Sequence, residues 1–164
     1  MKIFGFAGWS GSGKTTLIER LIPRFVQQGL SVSLIKHAHH AFDIDKPGKD
    51  SWRHRKAGCS EVLLLSEQRM AIMTEFRGAP MPTLEECVAR LAPCDLLLIE
   101  GFRNHPVPKI EVWREALGKP MLHPQDPHIV AVATDIAVPG SLPRFTLEDA
   151  EAIAKFIANH LELP

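Results

Sequence analysis

The sequence predicts an α/β fold: a three-layer αβα sandwich around a mostly parallel sheet, with one antiparallel hairpin. Three observations point there. Short apolar runs alternate with amphipathic helical stretches along the chain, the pattern of strand–helix–strand units. Runs such as KIFGFA (2–7), DLLLI (95–99) and HIVAVA (128–133) are almost continuously apolar, as strands covered on both faces are. One strand pair, 61–65 and 69–73, is separated only by Ser66-Glu67-Gln68, which is hairpin spacing.

Each element has its own local signal. KIFGFA is a short apolar run bounded by glycines and reads as a buried strand. A helix should follow from about Gly13, with Leu17, Leu21 and Phe25 along one face and Ile18, Ile22 and Val26 beside them. Pro23 lies inside this helix and should kink it. Gly29 should close it in a left-handed cap. SVSLIK (31–36) reads as the second strand, and 37–50, without periodicity, as a loop. A short helix is expected at about 51–57, with Asp50 placed to cap it and Gly58 to end it. After the hairpin, Thr83 and Glu86 form a capping-box pattern ahead of a helix at 84–91. DLLLI, KIEVW (109–113) and HIVAVA are the remaining strands. The closing helix should begin at Thr146, with acidic residues 148, 149 and 151 in its first turn. Its apolar stripe is Leu147, Ala150, Ile153, Ile157 and Leu161. Pro80-Met81-Pro82 and 118–127 are loops, and no repeat or linker divides the chain.

Composition narrows the function classes. A chain of 164 residues suits a single domain spanning 1–164. A domain of that size buries about 70% of its unfolded surface, so it needs no covalent staples. Formal net charge is zero, so the molecule as a whole has no field to attract nucleic acid or an anionic membrane. The three cysteines, Cys59, Cys87 and Cys94, form no CxxC pair and are expected to be reduced thiols of a cytoplasmic protein. No run of 18 apolar residues is present. The opening MKIFGFAG has too short an apolar run for a signal peptide.

The strongest chemical signal is GWSGSGKT, Gly8 to Thr15, which matches G-x-x-x-x-G-K-[ST]. Gly8, Gly11 and Gly13 let successive backbone N–H groups turn inward around phosphate oxygens, with Ser10, Ser12 and Thr16 completing the lining. The helix N-terminus adds partial positive charge. Lys14 should reach the β- and γ-phosphates, and the Thr15 hydroxyl should ligate Mg²⁺. With a strand before it and a helix after it, the motif indicates a nucleoside triphosphate and a phosphate-loop NTPase fold.

Ligands of open parallel sheets bind beyond the carboxyl ends of the strands. The residues just past each strand are therefore candidates: Lys36 and His37, Glu100 and Gly101, Thr134 and Asp135. A strand rises about 3.3 Å per residue, which puts Asp95 roughly 16 Å from Glu100, at the opposite end. Glu100 alone of the two can hold Mg²⁺ through water or polarise an attacking water. Asp135 suits guanine, whose N1 and N2 donors match a carboxylate, whereas adenine presents an acceptor at N1. It reads equally as a turn aspartate. Asp50 reads either as a helix cap or, on a long loop folding over the phosphates, as a Mg²⁺-side carboxylate.

His37, His39 and His40, followed by Asp43 and Asp45, resemble a metal site only superficially, because their spacing fits no zinc pattern. They read better as polar lining or a solvated loop. Lys46, Lys49, Arg53, His54, Arg55 and Lys56 form a basic run, either a solvated face or a patch for a second anionic ligand, with Arg103 and His105 as extensions. No aromatic interleaving suggests single-stranded nucleic acid binding.

These residues together resemble the MobB family, the adapter proteins of molybdopterin-guanine dinucleotide biosynthesis. The resemblance rests on FAGWSGSGKTTL, LIKHAHHAFDIDKPGKDSWRHRKAG, MAIMTE, DLLLIEGF, KIEVWR and VAVATD, which span most of the chain. It implies a GTP-binding, Mg²⁺-dependent protein with slow GTPase activity, usually a homodimer. It also implies a partner, the guanylyltransferase MobA, which attaches GMP to molybdopterin. Under it Asp50 and Asp135 become expected site residues, and the basic loop a place for partner or molybdopterin contact. Related phosphate-loop families carry a lysine right after the first loop glycine that acts across a dimer; here that position is Trp9. No arginine finger is evident in the sequence, and such a group is worth about 10³–10⁵ in rate. The competing expectation is a small-molecule kinase on the same fold, with Asp50 or His37 as its base.

Overall fold

The computed structural model describes residues 1–38, 42–138 and 140–164. In chain order the elements are β1 (Lys2–Ala7), α1 (Lys14–Gln27), β2 (Val32–Lys36), α2 (Asp50–Lys56), β3 (Glu61–Leu65), β4 (Met70–Thr74), α3 (Leu84–Ala89), β5 (Leu96–Glu100), β6 (Lys109–Trp113), a 3₁₀ turn (Glu115–Leu117), β7 (Ile129–Thr134), β8 (Arg144–Thr146) and α4 (Ala150–Leu161). They form two compact units, Met1–His37 with Val88–Pro164, and Ala38–Cys87.

The first unit is built on a six-stranded sheet in the order β2-β5-β1-β6-β7-β8. All its pairings are parallel. From β1 the chain runs outward to β2 and returns to β5, then crosses to β6 and continues the other way. The direction therefore reverses around β1, and the loop leaving β1 stands at the topological switch point where open α/β sheets bind ligands.

Side-chain parity explains the core. Phe4 and Phe6 of β1, Leu96 and Leu98 of β5, Ile110 and Val112 of β6, and Ala131 and Ala133 of β7 share one face. They pack with Leu17, Ile18, Leu21 and Phe25 of α1 and with Ile153, Ile157 and Leu161 of α4. Each such large side chain contributes roughly 1.5–3 kcal/mol of burial. Leu97 and Ile99 point to the opposite face and are fully buried too, which is why DLLLI reads as continuously apolar.

Helix α1 runs through Pro23 as one element. The proline removes a donor to the carbonyl of Glu19, and both residues are exposed, so water can take the freed acceptor. The helix ends as expected: Gly29 is left-handed at φ 84° and the Leu30 N–H donates to the Phe25 carbonyl.

The second unit contains α2 and the separate two-stranded sheet β3–β4. Arg55 organises it, pairing with Asp43 at 2.8 Å, Asp45 at 3.3 Å and Glu75 at 2.6 Å. The Arg55 guanidinium holds the Asp43 carboxyl below the usual carboxylate range. The capping box before α3 is complete. The Thr83 N–H donates to Glu86 Oε2 at 2.8 Å, and the Glu86 N–H to Thr83 Oγ1 at 3.2 Å.

Several boundaries differ from expectation. Helix α2 starts at Asp50, with Lys49 in the N-cap position, so Asp50 is a first-turn acid beside the helix N-terminus and not its cap. Strands β4, β5 and β7 each lie one residue later than expected, β5 ending at Glu100 and β7 at Thr134. Helix α3 ends at Ala89. The segment expected to open the last helix at Thr146 instead closes the three-residue edge strand β8, and α4 begins at Ala150. Asp149 is the cap, its Oδ1 accepting from the Ala152 N–H at 3.0 Å. Three residues are too short to show a period, and Thr146 and Asp149 are both cap-forming residue types.

All three cysteines are free. Among the described residues, no helix is long and apolar enough to cross a membrane.

Candidate functional site

The loop Gly8–Gly13 joins the end of β1 to the start of α1. Gly8 has φ 147°, and a Cβ there would lie 2.3 Å from the Val112 carbonyl oxygen and 2.8 Å from Ser12 Oγ. Backbone cannot yield to that contact, so only glycine lets the loop fold tightly against β6. Ser12 Oγ is buried and has no hydrogen-bond partner among the described residues. Lys14 Nζ reaches back over the loop and donates to the carbonyls of Gly8 at 2.9 Å and Trp9 at 2.8 Å. Burial pushes the Lys14 ammonium below its usual range; Glu100 pulls the other way and Lys36 adds to the lowering. Ser10 and Thr16 lie exposed at the loop and the first turn of α1.

Four strand-end side chains gather at the same end because they share the parity of the α1-facing core residues. Lys36 continues the Val32–Leu34 face, Glu100 the Leu96–Leu98 face, Arg114 the Ile110–Val112 face, and Asp135 the Ala131–Ala133 face. Thr15 Oγ1 donates to Glu100 Oε1 at 2.8 Å. Lys36 Nζ lies 3.2 Å from Glu100 Oε2 and donates to Thr15 Oγ1 at 3.3 Å. An ammonium thus bridges the hydroxyl and the carboxylate. That all-oxygen pair suits a hard divalent cation such as Mg²⁺, which takes one or two protein oxygens and fills its shell with phosphate and water. The unpartnered Ser12 hydroxyl, the inward glycine turn and the converging ammonium groups likewise fit a polyphosphate.

Glu100 and Asp95 are separated as the strand geometry requires. In the parallel register Phe6 pairs with Glu100, at the end of β1 that leads into the glycine loop, while Lys2 pairs with Leu96. Asp95 accepts instead from Ser31, from N–H at 2.8 Å and from Oγ at 2.6 Å. These Ser31 donors hold its carboxyl below the usual range.

The other expected residues are placed as follows. His37 follows β2, its ring 4.8 Å from that of Phe102. Gly101 has φ 96°, and a Cβ would come within 2.9 Å of His37 Cβ, so the ends of β2 and β5 approach only with glycine there. Thr134 is buried, its Oγ1 accepting from the Ile136 N–H at 3.4 Å. Asp135 accepts from the Glu115 N–H at 3.2 Å through Oδ1, and its Oδ2 lies 3.7 Å from Arg114 Nη1. Asp50 belongs to the second unit, where it lines a cleft of about 300 Å³ with Arg53, His54 and Ala57. Of the basic run, Arg55 is committed to the three carboxylates of its own unit. His39 and His40 lie outside the described residues; among those described, no group of three metal-ligating side chains forms.

Sequence reasoning missed the charges of β6 and Arg114 beyond it. Lys109 is buried and donates to the carbonyls of Arg103 at 2.6 Å and His105 at 2.7 Å and to Asp126 Oδ2 at 2.9 Å, pinning the loop that leaves β5. Glu111, also buried, accepts from the Leu122 N–H at 2.6 Å and the His123 N–H at 2.9 Å. The segment so held meets the glycine loop: Trp9 Nε1 donates to the Pro120 carbonyl at 2.8 Å, and Arg103 and Lys119 lie 5.3 and 5.8 Å from the Trp9 ring centre. Arg114 Nε donates to the Ser12 carbonyl at 3.1 Å. The readable signal was alternation: Lys109 and Glu111 fall on the opposite parity to Ile110 and Val112, and Arg114 on the same parity.

Known proteins resemble this chain over most of its length. A relative from Haemophilus influenzae, described as a molybdopterin-guanine dinucleotide biosynthesis adapter protein, is 42% identical over 163 residues, covering 97% of this chain and 89% of the relative. One of the same description from Escherichia coli K12 is 38% identical over 163 residues, covering 98% and 93%. The crystal structure of a MobB protein homolog from Bacillus stearothermophilus has the same fold, with TM-score 0.75 at 22% identity and full coverage of both chains. The family model described as molybdopterin guanine dinucleotide synthesis protein B matches residues 3–135. The chain belongs to that family, MobB.

Proposed function

We propose that this protein is a GTP-binding adapter with slow GTPase activity, assisting the attachment of GMP to molybdopterin in molybdenum cofactor synthesis. The observation that carries the reading is the convergence of Thr15, Lys36 and Glu100 beside Lys14 and the glycine loop, at the switch point of a parallel sheet. The adapter role follows the description of the two relatives.

In this reading Gly8–Thr15 hold the phosphates, and Ser12 Oγ gains a phosphate oxygen as its partner. Thr15 and Glu100 hold Mg²⁺, which neutralises phosphate charge when bound. Lys14 exchanges its two loop carbonyls for phosphate oxygens. Lys36 has to leave the Thr15–Glu100 pair or share it. Asp135 reads guanine. Turnover is slow because the Arg114 guanidinium is engaged by the Ser12 carbonyl and Asp135. The loaded state engages the guanylyltransferase MobA in the cytoplasm, and the chain works as a homodimer. Support for the dimer comes from the hairpin: Leu63 opposite Ile72 and Leu65 opposite Met70 form an exposed apolar face.

Competition of ATP against labelled GTP tests the nucleotide. GTP should win by well over tenfold, given that a mismatched polar pairing costs a site far more than a missing apolar contact. Preference for ATP would refute the assignment of Asp135. Lys14→Ala should abolish binding; GTP affinity equal to the parent's would refute the loop assignment. Product analysis with candidate acceptors separates the reading from a kinase, since phosphorylated acceptor forming much faster than free phosphate would replace it.

A further inference from the structure

Arg114 touches two parts of the site at once. Its Nε donates to the Ser12 carbonyl at 3.1 Å, and its Nη1 lies 3.7 Å from Asp135 Oδ2. Its Nη2 would lie 3.4 Å from a Cβ on Gly13 and its Nε 3.5 Å, so the Nε–Nη2 edge of the guanidinium faces the last peptide of the glycine loop. Across a trans peptide the C=O and the following N–H point in opposite directions. A donor that holds the Ser12 carbonyl on its own side therefore turns the Gly13 N–H to the opposite side, away from Arg114. The next backbone N–H after Arg114, that of Glu115, accepts the other half of the task by donating to Asp135 Oδ1 at 3.2 Å. Both oxygens of Asp135 are thus held by consecutive residues at the end of β6. The side chain reaches this place because residue 114 keeps the parity of Ile110 and Val112 and emerges on the α1 face.

We propose that Arg114 is a positioning residue that couples phosphate binding to base recognition: one guanidinium aims the Gly13 amide and anchors the Asp135 carboxylate. The proposal rests on the reading of the glycine loop as the phosphate site and of Asp135 as the guanine reader. It assigns Arg114 no contact with the phosphate itself. A charge-assisted bond to a carbonyl is worth enough to shift affinity about tenfold when lost.

The test uses two ligands with Mg²⁺ present, GTP and inorganic tripolyphosphate, which has phosphates and no base. Arg114→Ala should weaken tripolyphosphate binding about tenfold and GTP binding further still. Asp135→Asn should weaken GTP while leaving tripolyphosphate at the parent affinity. The double variant should lose less GTP affinity than the product of the two single losses, because they remove parts of one interaction. Arg114→Lys should recover part of the tripolyphosphate affinity by restoring one donor to Ser12. If Arg114→Ala fails to fold by circular dichroism, Arg114→Lys and Arg114→Gln carry the same comparison. A parent that prefers GTP, with an Arg114→Ala variant within about twofold of it on tripolyphosphate, overturns the coupling alone. A parent that prefers ATP overturns the guanine reading and the coupling together.

Discussion

A buried hydroxyl without a partner costs about 1–3 kcal/mol, and Ser12 carries one in the glycine loop, unpartnered among the described residues. No described group of the fold uses this hydroxyl, so Ser12→Ala should separate stability from binding. The ligand-free variant should melt at the same temperature as the parent or above it, while the stabilisation added by GTP shrinks. Thermal unfolding with and without GTP checks both. A variant that melts well below the parent without nucleotide would show that the hydroxyl is serving the fold. The same residue-level logic picked out Gly8, Lys14, Thr15 and Glu100 as candidates in advance. Motif spacing and strand-end position are local properties of the sequence. Arg114 was not readable that way, since it belongs to no motif and acquires its role only when β6 lies beside β1.

At the scale of elements, the hairpin stands apart. Strands β3 and β4 form their own two-stranded sheet, and two-stranded sheets are rarely stable without a covered face. Val62 and Met73 are at least partly covered, whereas Leu63, Leu65, Met70 and Ile72 on the other face are more than half exposed. If that face pairs with a second copy, Leu65→Glu with Ile72→Glu should convert a dimer to a monomer without loss of secondary structure. Sedimentation velocity and circular dichroism read the two together, and a parent that sediments as a monomer would end the dimer reading. The hairpin itself was legible from three turn residues between apolar runs. Strand β8 was not, because three residues hold no period and its pairing with β7 is set by the sheet. Missing it moved the expected start of the last helix from Ala150 to Thr146, where a threonine imitates a cap.

For the molecule as a whole, charge placement sets the response to acid. Asp95 and Asp43 both sit below the usual carboxylate range, Asp95 through its Ser31 hydrogen bonds and Asp43 through Arg55. Asp126 does so as well: burial raises it, but the Lys109 hydrogen bond and its other partners outweigh that. A carboxylate depressed in the folded state stabilises it above the unfolded value, near pH 4, and that contribution fades as pH falls through the lower native value. Asp95→Asn should therefore melt below the parent at pH 7, with the gap closing below about pH 4. A gap that stays constant from pH 7 to pH 2 would mean that the Ser31 bonds do not depend on the carboxylate charge.

The sequence by itself determined the α/β class, the glycine loop with its lysine and threonine, the separation of Glu100 from Asp95 and the resemblance to the family. Each of these depends on short-range spacing, apolar periodicity or the rise of a single strand. Only the tertiary structure decided which strand ends meet. The order β2-β5-β1-β6-β7-β8 sets Lys36 against Glu100 and Thr15, and Arg114 between Ser12 and Asp135. It also placed two buried charges, Lys109 and Glu111, where they hold the flanking segments in shape. Those are contacts between residues up to about a hundred positions apart. Parity tells which face a side chain takes, but its neighbours there are fixed by sheet order, which no local pattern records.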